Sequence, residues 1–230
     1  MEGLRIIDLL KDEGPFNFEN TGLILITNIT KSNIESAVKI AKSAKSSQNI
    51  TVGILSGNIN PLNHDDMKRF FNHSDAVIQL SGENNEYSAC LITEEISDLI
   101  TNAGFVNLGL KDVKEIFRDA GTVYFGAATA KSAAVAALKV SEKYGNITGA
   151  KRVLLKITTG SGVALGELSE ASRFIEINAA PEAQIIWGHV IDDTMRGNVR
   201  VSVLAVMNDK NSETRNENLS EVYKNLKHIL

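Results

Sequence analysis

The segment GFVNLGLKDVKEIF, residues 104–117, is a short polar loop that runs into a helical pattern. In its first nine residues the polar groups that could do chemistry are the amide of Asn107 and the carboxylate of Asp112. Gly109 stands between them, and Lys111 puts a positive charge beside the acid. These types at this spacing suit either a catalytic loop or ordinary connecting chain, and the neighbouring elements must decide between the two. The other candidates for chemistry are sparser. His64, Asp65, Asp66, His73 and Asp75 are metal-donor types. Their spacing on a short polar helix is that of a solvated face, so no metal site is expected. His189 follows an apolar strand and is expected to be partly buried with its ring nitrogens satisfied. Cys90 is the single cysteine, which rules out an intramolecular disulfide and a cysteine-based metal site. It is expected to pack as a small hydrophobe. No Ser/His/Asp or Cys/His arrangement is suggested.

The elements that must hold these residues follow from hydrophobic periodicity. TGLILITNI (21–29), residues 49–57 and residues 74–82 are near-continuous apolar runs bounded by turn residues, the pattern of buried parallel strands. Between the first two, Ile34, Val38 and Ala41 recur at helical spacing after a cap at Ser32 or Asn33. A short helix is predicted over 63–73 and a long one over 86–102. The apolar stripe of the long helix is Ala89, Ile92, Ile96, Leu99 and Ile100, and Gly104 serves as a stop. Next come a short helix (111–121), a strand (121–130), an alanine-rich helix (131–145), a strand (150–160) and a helix stopped before Pro181. Residues 183–192 and 198–207 read as two strands joined by a turn, a candidate hairpin. The last stretch, ENLSEVYKNLKHIL, places Leu219, Val222, Leu226 and Ile229 on one helical face.

Bulk properties narrow the class. With 230 residues, 43% hydrophobic, the chain is long enough to bury a sizeable core. A net charge of -4 gives no basic excess for nucleic acid or an anionic membrane. No apolar run approaches the roughly 20 residues that span a bilayer. The acidic start lacks the features of a signal peptide. The expected location is the cytoplasm.

GLKDVKEIFRDAGTVYFGAATA, followed by GAKRVLLKITTGSGVALGELSEASRFIEINAAPEAQIIWGHVIDDTMRGNVRVSVLAVM, resembles the C-terminal domain of FtsZ, the tubulin-like GTPase of prokaryotic cell division. The match is ordered over about a hundred residues, and Trp187 gives it an archaeal look. Upstream it is weaker, with the long helix falling where the family has its central helix. The resemblance implies an α/β fold. A truncated, Rossmann-like parallel-sheet unit (1–103) is joined by the long helix to an FtsZ C-terminal-type α+β two-layer sandwich (104–210). A polar spacer and an amphipathic helix follow (211–230). The sequence shows no counterpart of the first half of the nucleotide domain. LRIIDLL, or a second copy, is expected to cover the sheet edge this leaves.

The same resemblance implies what a nucleotide site would need. The family binds phosphates in a GGGTGTG loop after a buried strand, where backbone N–H groups and a helix N-terminus approach the anion. The matching stretch here is NITKSN, 28–33, with no glycine. Asn28, Lys31 and Asn33 form a degenerate loop. The family's guanine-reading carboxylate falls at Tyr87, which cannot pair bidentately with the base. No nucleotide, no other cofactor and no metal is expected. The family's loop after the central helix, N-x-D-F-A-D-V, reaches the nucleotide of the next subunit and positions water. Here Asn107 and Asp112 remain as catalytic remnants, Gly109 replaces the first acid and Lys111 replaces alanine. Asn107, Gly109, Lys111 and Asp112 are then expected to form a docking interface. The expectation is a non-GTPase FtsZ-like protein that caps or modulates filaments, with FtsZ-like subunits or a second copy as partner. The alternatives are a degenerate GTPase and a self-assembling structural protein.

Overall fold

Apolar strand runs and amphipathic helices alternate along the chain as the periodicity predicts. The computed structural model describes residues 3–12, 14–55, 64–79, 85–102, 104–144 and 147–207. The elements, in chain order, are β1 (Gly3–Asp8), β2 (Thr21–Ile29), α1 (Ile34–Ser46), β3 (Ile50–Leu55), α2 (His64–His73), β4 (Ala76–Gln79), α3 (Asn85–Thr101), α4 (Leu110–Phe117), β5 (Gly121–Ala130), α5 (Ala133–Tyr144), β6 (Arg152–Thr159), α6 (Leu165–Asn178), β7 (Gln184–Ile191) and β8 (Val199–Val206). The chain is α/β and forms two compact units. The predicted terminal helix, residues 211–230, lies outside the described residues. No helix among the described residues is long and apolar enough to cross a membrane.

The first unit contains residues 3–93 and Phe117–Val123. Its strands run β1-β2-β3-β4, each paired in parallel with the next. The expected parallel layer is therefore present. LRIIDLL does cover the sheet edge, because its residues 4–8 lie in β1 and pair along β2. Strands covered on both faces need apolar side chains throughout, and every residue of β3 is buried. Helix α1 buries Ile34, Ala37, Val38, Ala41 and Ala44 on a core with Ile24, Ile26, Phe70 and Phe71. Gly53 permits that closeness, since a Cβ there would stand 2.3 Å from the Phe70 ring. Asp75 belongs to no metal cluster. Its carboxylate accepts the Thr51 N–H at 2.9 Å, and its backbone carbonyl accepts the Gly121 N–H at 2.9 Å. Arg69, near His64, Asp65 and Asp66 on α2, donates to both oxygens of Glu35 at 2.5 and 2.9 Å. No group of three or more His, Cys, Asp or Glu among the described residues could hold a metal ion.

The second unit contains Glu94–Ile116 and Tyr124–Met207. Its strand order is β5-β8-β6-β7, a mixed sheet. Strand β6 pairs in parallel with β7 and antiparallel with β8. This corrects the expected hairpin, because β7 and β8 are not neighbours: β6 lies between them. A tight hairpin needs a short turn that reverses the chain in place. Residues 192–198 instead make a 3-10 turn capped by Asp192, then pass through left-handed backbone at Arg196 (φ 48°) and Gly197 (φ 75°). That length carries the chain over the end of one strand, spaced about 4.8 Å from each neighbour. The sandwich's second layer is α5 and α6. Ala133, Ala136, Ala137 and Val140 from α5 pack with Leu168, Ala171 and Ile175 from α6 on Val153, Leu155, Val201 and Val203.

Helix α3 buries Ala89, Ile92, Ile96 and Leu99 of its predicted stripe, while Ile100 is half-buried. Cys90 is the exception. It is exposed, not packed, because one helical step past Ala89 turns it about 100° away from the buried face.

Candidate functional site

The first candidate region is the turn between β2 and α1. One residue before the end of β2, Asn28 takes left-handed backbone (φ 56°), a conformation asparagine tolerates better than most residues. The turn that follows is closed by Asn33. Its Oδ1 accepts the Thr30 N–H at 2.7 Å, and its Nδ2 donates to the Asn28 carbonyl at 2.8 Å. The Thr30 and Ser32 hydroxyls lie 2.9 Å apart. Asn33 sits at the N-cap of α1 but makes no capping bond with its side chain, which is spent inside the turn. Lys31 is exposed. Beside the turn, the Asp8 carboxylate accepts from Asn28 Nδ2 at 2.6 Å and from the Leu10 N–H at 3.0 Å. Lys11 Nζ lies 3.3 Å away. Partial burial pulls the Asp8 carboxyl upward, but these hydrogen bonds and Lys11 outweigh it and hold it below its ordinary range. Negative charge is thus fixed beside the turn. Tyr87 lies on α3, and its side chain is outside the described residues.

The second candidate region is the loop between α3 and α4, in the second unit. It is fastened to β7 in three ways. The His189 N–H donates to the Val106 carbonyl at 2.9 Å. The Phe105 N–H donates to His189 Nδ1 at 3.1 Å, and the Phe105 ring stacks on the imidazole with centroids 5.1 Å apart. Leu108 packs over Gly188, where a Cβ would come within 3.0 Å of it. Gly104 is more than a helix stop, since a Cβ on it would sit 1.8 Å from the His189 carbonyl oxygen. His189 is 1% exposed, so the expected satisfied histidine is fully buried.

The loop's named residues now have partners. Asn107 Oδ1 accepts the Gly104 N–H at 2.8 Å. Asp112 Oδ2 accepts the Gly109 N–H at 2.8 Å, so Asp112 reaches back from the first turn of α4 as in a capping box. Asn107, Gly109 and Lys111 are exposed, and Asp112 is half-buried. The structure therefore places Asn107 and Gly109 on a backbone-braced loop and Lys111 and Asp112 on the first turn of α4 that follows it. If the Asp112 bond acts as a helix cap, Asp112→Ala costs about 1 kcal/mol. Urea denaturation checks this, and a change below the error of the midpoint would show the bond to be idle.

One cluster escaped sequence reasoning. Lys156 on β6 is 3% exposed and lies 2.6 Å from Asp98 Oδ2 and 3.1 Å from Glu95 Oε2. Arg200 on β8 reaches Glu95 Oε1 at 3.3 Å. The Lys156–Glu95 contact is a charge contact without hydrogen-bond alignment. The available signal was a lysine inside the apolar run VLLKITT and a glutamate beside Ile96 in the stripe of α3.

Residues 120–208 match the C-terminal domain of the FtsZ family. An FtsZ mutant structure from M. jannaschii superposes with a TM-score of 0.71 at 18% identity, covering 82% of this chain and 66% of that one. The empty FtsZ dimer from M. jannaschii gives 0.67 at 20% identity, covering 82% and 64%. A GTPγS-bound CetZ2 protofilament from Haloferax volcanii gives 0.61 at 17% identity, covering 91% and 72%. The chain spans just under two thirds of the length of the two FtsZ chains. With the parallel layer, the mixed sheet and the matched domain agreeing, residues 120–208 match an FtsZ-family C-terminal domain and the chain has the fold of the FtsZ and CetZ structures.

Proposed function

We propose that this protein is a non-GTPase member of the FtsZ-like proteins that works by protein–protein contact. Its role is to cap or modulate an FtsZ-like filament in cell division, and the exposed loop 104–112 is its docking surface. The observation that carries this reading is the closed β2–α1 turn. A phosphate cradle needs backbone N–H groups that are free and approachable. Here Asn33 takes the Thr30 N–H, and the Asp8 carboxylate stands beside Asn28. The relatives described as protofilaments carry GTPγS or GDP, so filament assembly is the context from which this reading departs. On the other side, the α3–α4 loop is held in one shape before any partner arrives, which lowers the ordering cost of docking.

Calorimetry with GTP and GDP is expected to give no saturable heat. Co-sedimentation with an FtsZ-like filament is expected to place the chain in the pellet and to change polymer mass. Micromolar nucleotide binding would restore the degenerate-GTPase reading. Absence from the pellet would end the docking reading. Assembly of the chain alone, seen by light scattering, is the mark of a nucleotide-independent structural protein.

A further inference from the structure

We propose that His189 is a proton-sensitive clamp on the α3–α4 loop, holding it on β7 while the ring is neutral and releasing it when the ring takes a second proton. The hydrogen bonds around the ring run in one direction. The Phe105 N–H is an obligate donor, so His189 Nδ1 must be unprotonated. The ring proton is therefore on Nε2, which lies 2.9 Å from Thr159 Oγ1. Thr159 can accept it because its own hydroxyl donates to the Gly160 carbonyl at 2.8 Å. The chain Phe105 N–H to His189, His189 to Thr159 and Thr159 to Gly160 uses every donor once. A proton on Nδ1 would set two donors facing each other at 3.1 Å.

Among the described residues, none near the ring compensates the added charge. Gly104, Phe105 and Val106 from the loop and Thr159 and Gly160 at the end of β6 carry no ionisable side chain. Leu99 of α3, packed over neighbouring Gly188, carries none either. The nearest acids along the chain are committed elsewhere: Asp192 accepts from Thr194 and Asp193 from Ser161. Burial accordingly pushes the His189 pKa below its ordinary value of 6.5. The unfolded chain then binds the proton more readily than the folded one. The clamp's contribution is full above about 6.5 and is lost as pH falls toward the lowered folded value. The loop so released carries Asn107 and Gly109 and leads into Lys111 and Asp112 at the start of α4. The link from clamp to docking rests on the function proposed above, whereas the clamp itself does not.

Nitrogen-detected NMR of the full chain tests it. At neutral pH His189 is expected in the Nε2–H form. As pH falls below 6.5, ring protonation and the Phe105 and Val106 amide shifts should share one midpoint while far-UV circular dichroism stays constant. His189→Gln offers an acceptor and a donor but takes up no proton, so its loop amides should not titrate. An Nδ1–H tautomer, amides that stay fixed through the ring's midpoint, or the same titration in His189→Gln would overturn the clamp. Co-sedimentation at neutral pH separates the two ideas: titrating amides without pelleting leave the clamp standing and remove the docking reading.

Discussion

Lys156→Ala is expected to destabilise the protein by roughly 3–5 kcal/mol, the range for stripping one partner from a buried ion pair. The cost comes from what is left behind. Glu95 is 2% exposed, and Lys156 is its closer cationic neighbour, at 3.1 Å against 3.3 Å for Arg200. Asp98 is a quarter exposed, so water can replace part of its lost contact. The hydroxyls of Ser202, the register partner of Lys156, and of Thr158 are buried without hydrogen-bond partners among the described residues. With Lys156 gone, Arg200 remains as the cation on Glu95, at 3.3 Å and itself a third exposed. The double change Lys156→Met with Glu95→Leu removes both charges and keeps apolar bulk, so it should recover most of the loss. Urea denaturation of both variants decides the matter. A Lys156→Ala cost below about 1 kcal/mol, as for a surface pair, would show that the cluster is solvated and unimportant.

That cluster also shows what could be read from the sequence. Long, periodic segments announced themselves: β2, α1, α3, β5 and α6 fall within a few residues of their predicted limits. Each owes its shape to local side-chain spacing, which one sequence displays. Strand order is different, because it depends on which distant strands pair. The segments now seen as β7 and β8 looked like a hairpin because they are adjacent in sequence, yet β6 lies between them. Lys156 and Glu95 are far apart in the chain, and each looked like an isolated charge in an apolar run. Only the packing of α3 on β6 makes them partners. Asn107 and Asp112 could be picked out by type, but their bonds to the Gly104 and Gly109 amides could not, because those depend on the path of the loop. Cys90 shows the limit of composition: its residue type suggested burial, while its helical phase set it outside.

Gly104→Ala should be the most damaging single methyl in the α3–α4 loop, at about 3 kcal/mol, the upper end of the usual overpacking range. The added Cβ would lie 1.8 Å from the His189 carbonyl oxygen and 3.0 Å from Nδ1. Backbone cannot yield as the tip of a flexible side chain can, so the loop itself must lift from β7. Lifting it breaks the Phe105 N–H to Nδ1 bond and the His189 N–H to Val106 bond together. At this chain length the loss corresponds to a melting point lower by roughly 6–12 °C. Gly109 supplies the control, since its nearest atom to an added Cβ is Asp112 Oδ2, 3.5 Å away. Gly109→Ser places a preferred N-cap residue where its Cβ makes only ordinary van der Waals contact, so its stability should stay within about 0.5 kcal/mol of the parent. The two variants also divide fold from function. On the docking reading, Gly104→Ala loses co-sedimentation because the surface is misshapen, whereas Gly109→Ser tests the surface itself with the fold intact. Equal melting points for the two would mean that the close approach of Gly104 to β7 does not hold the loop.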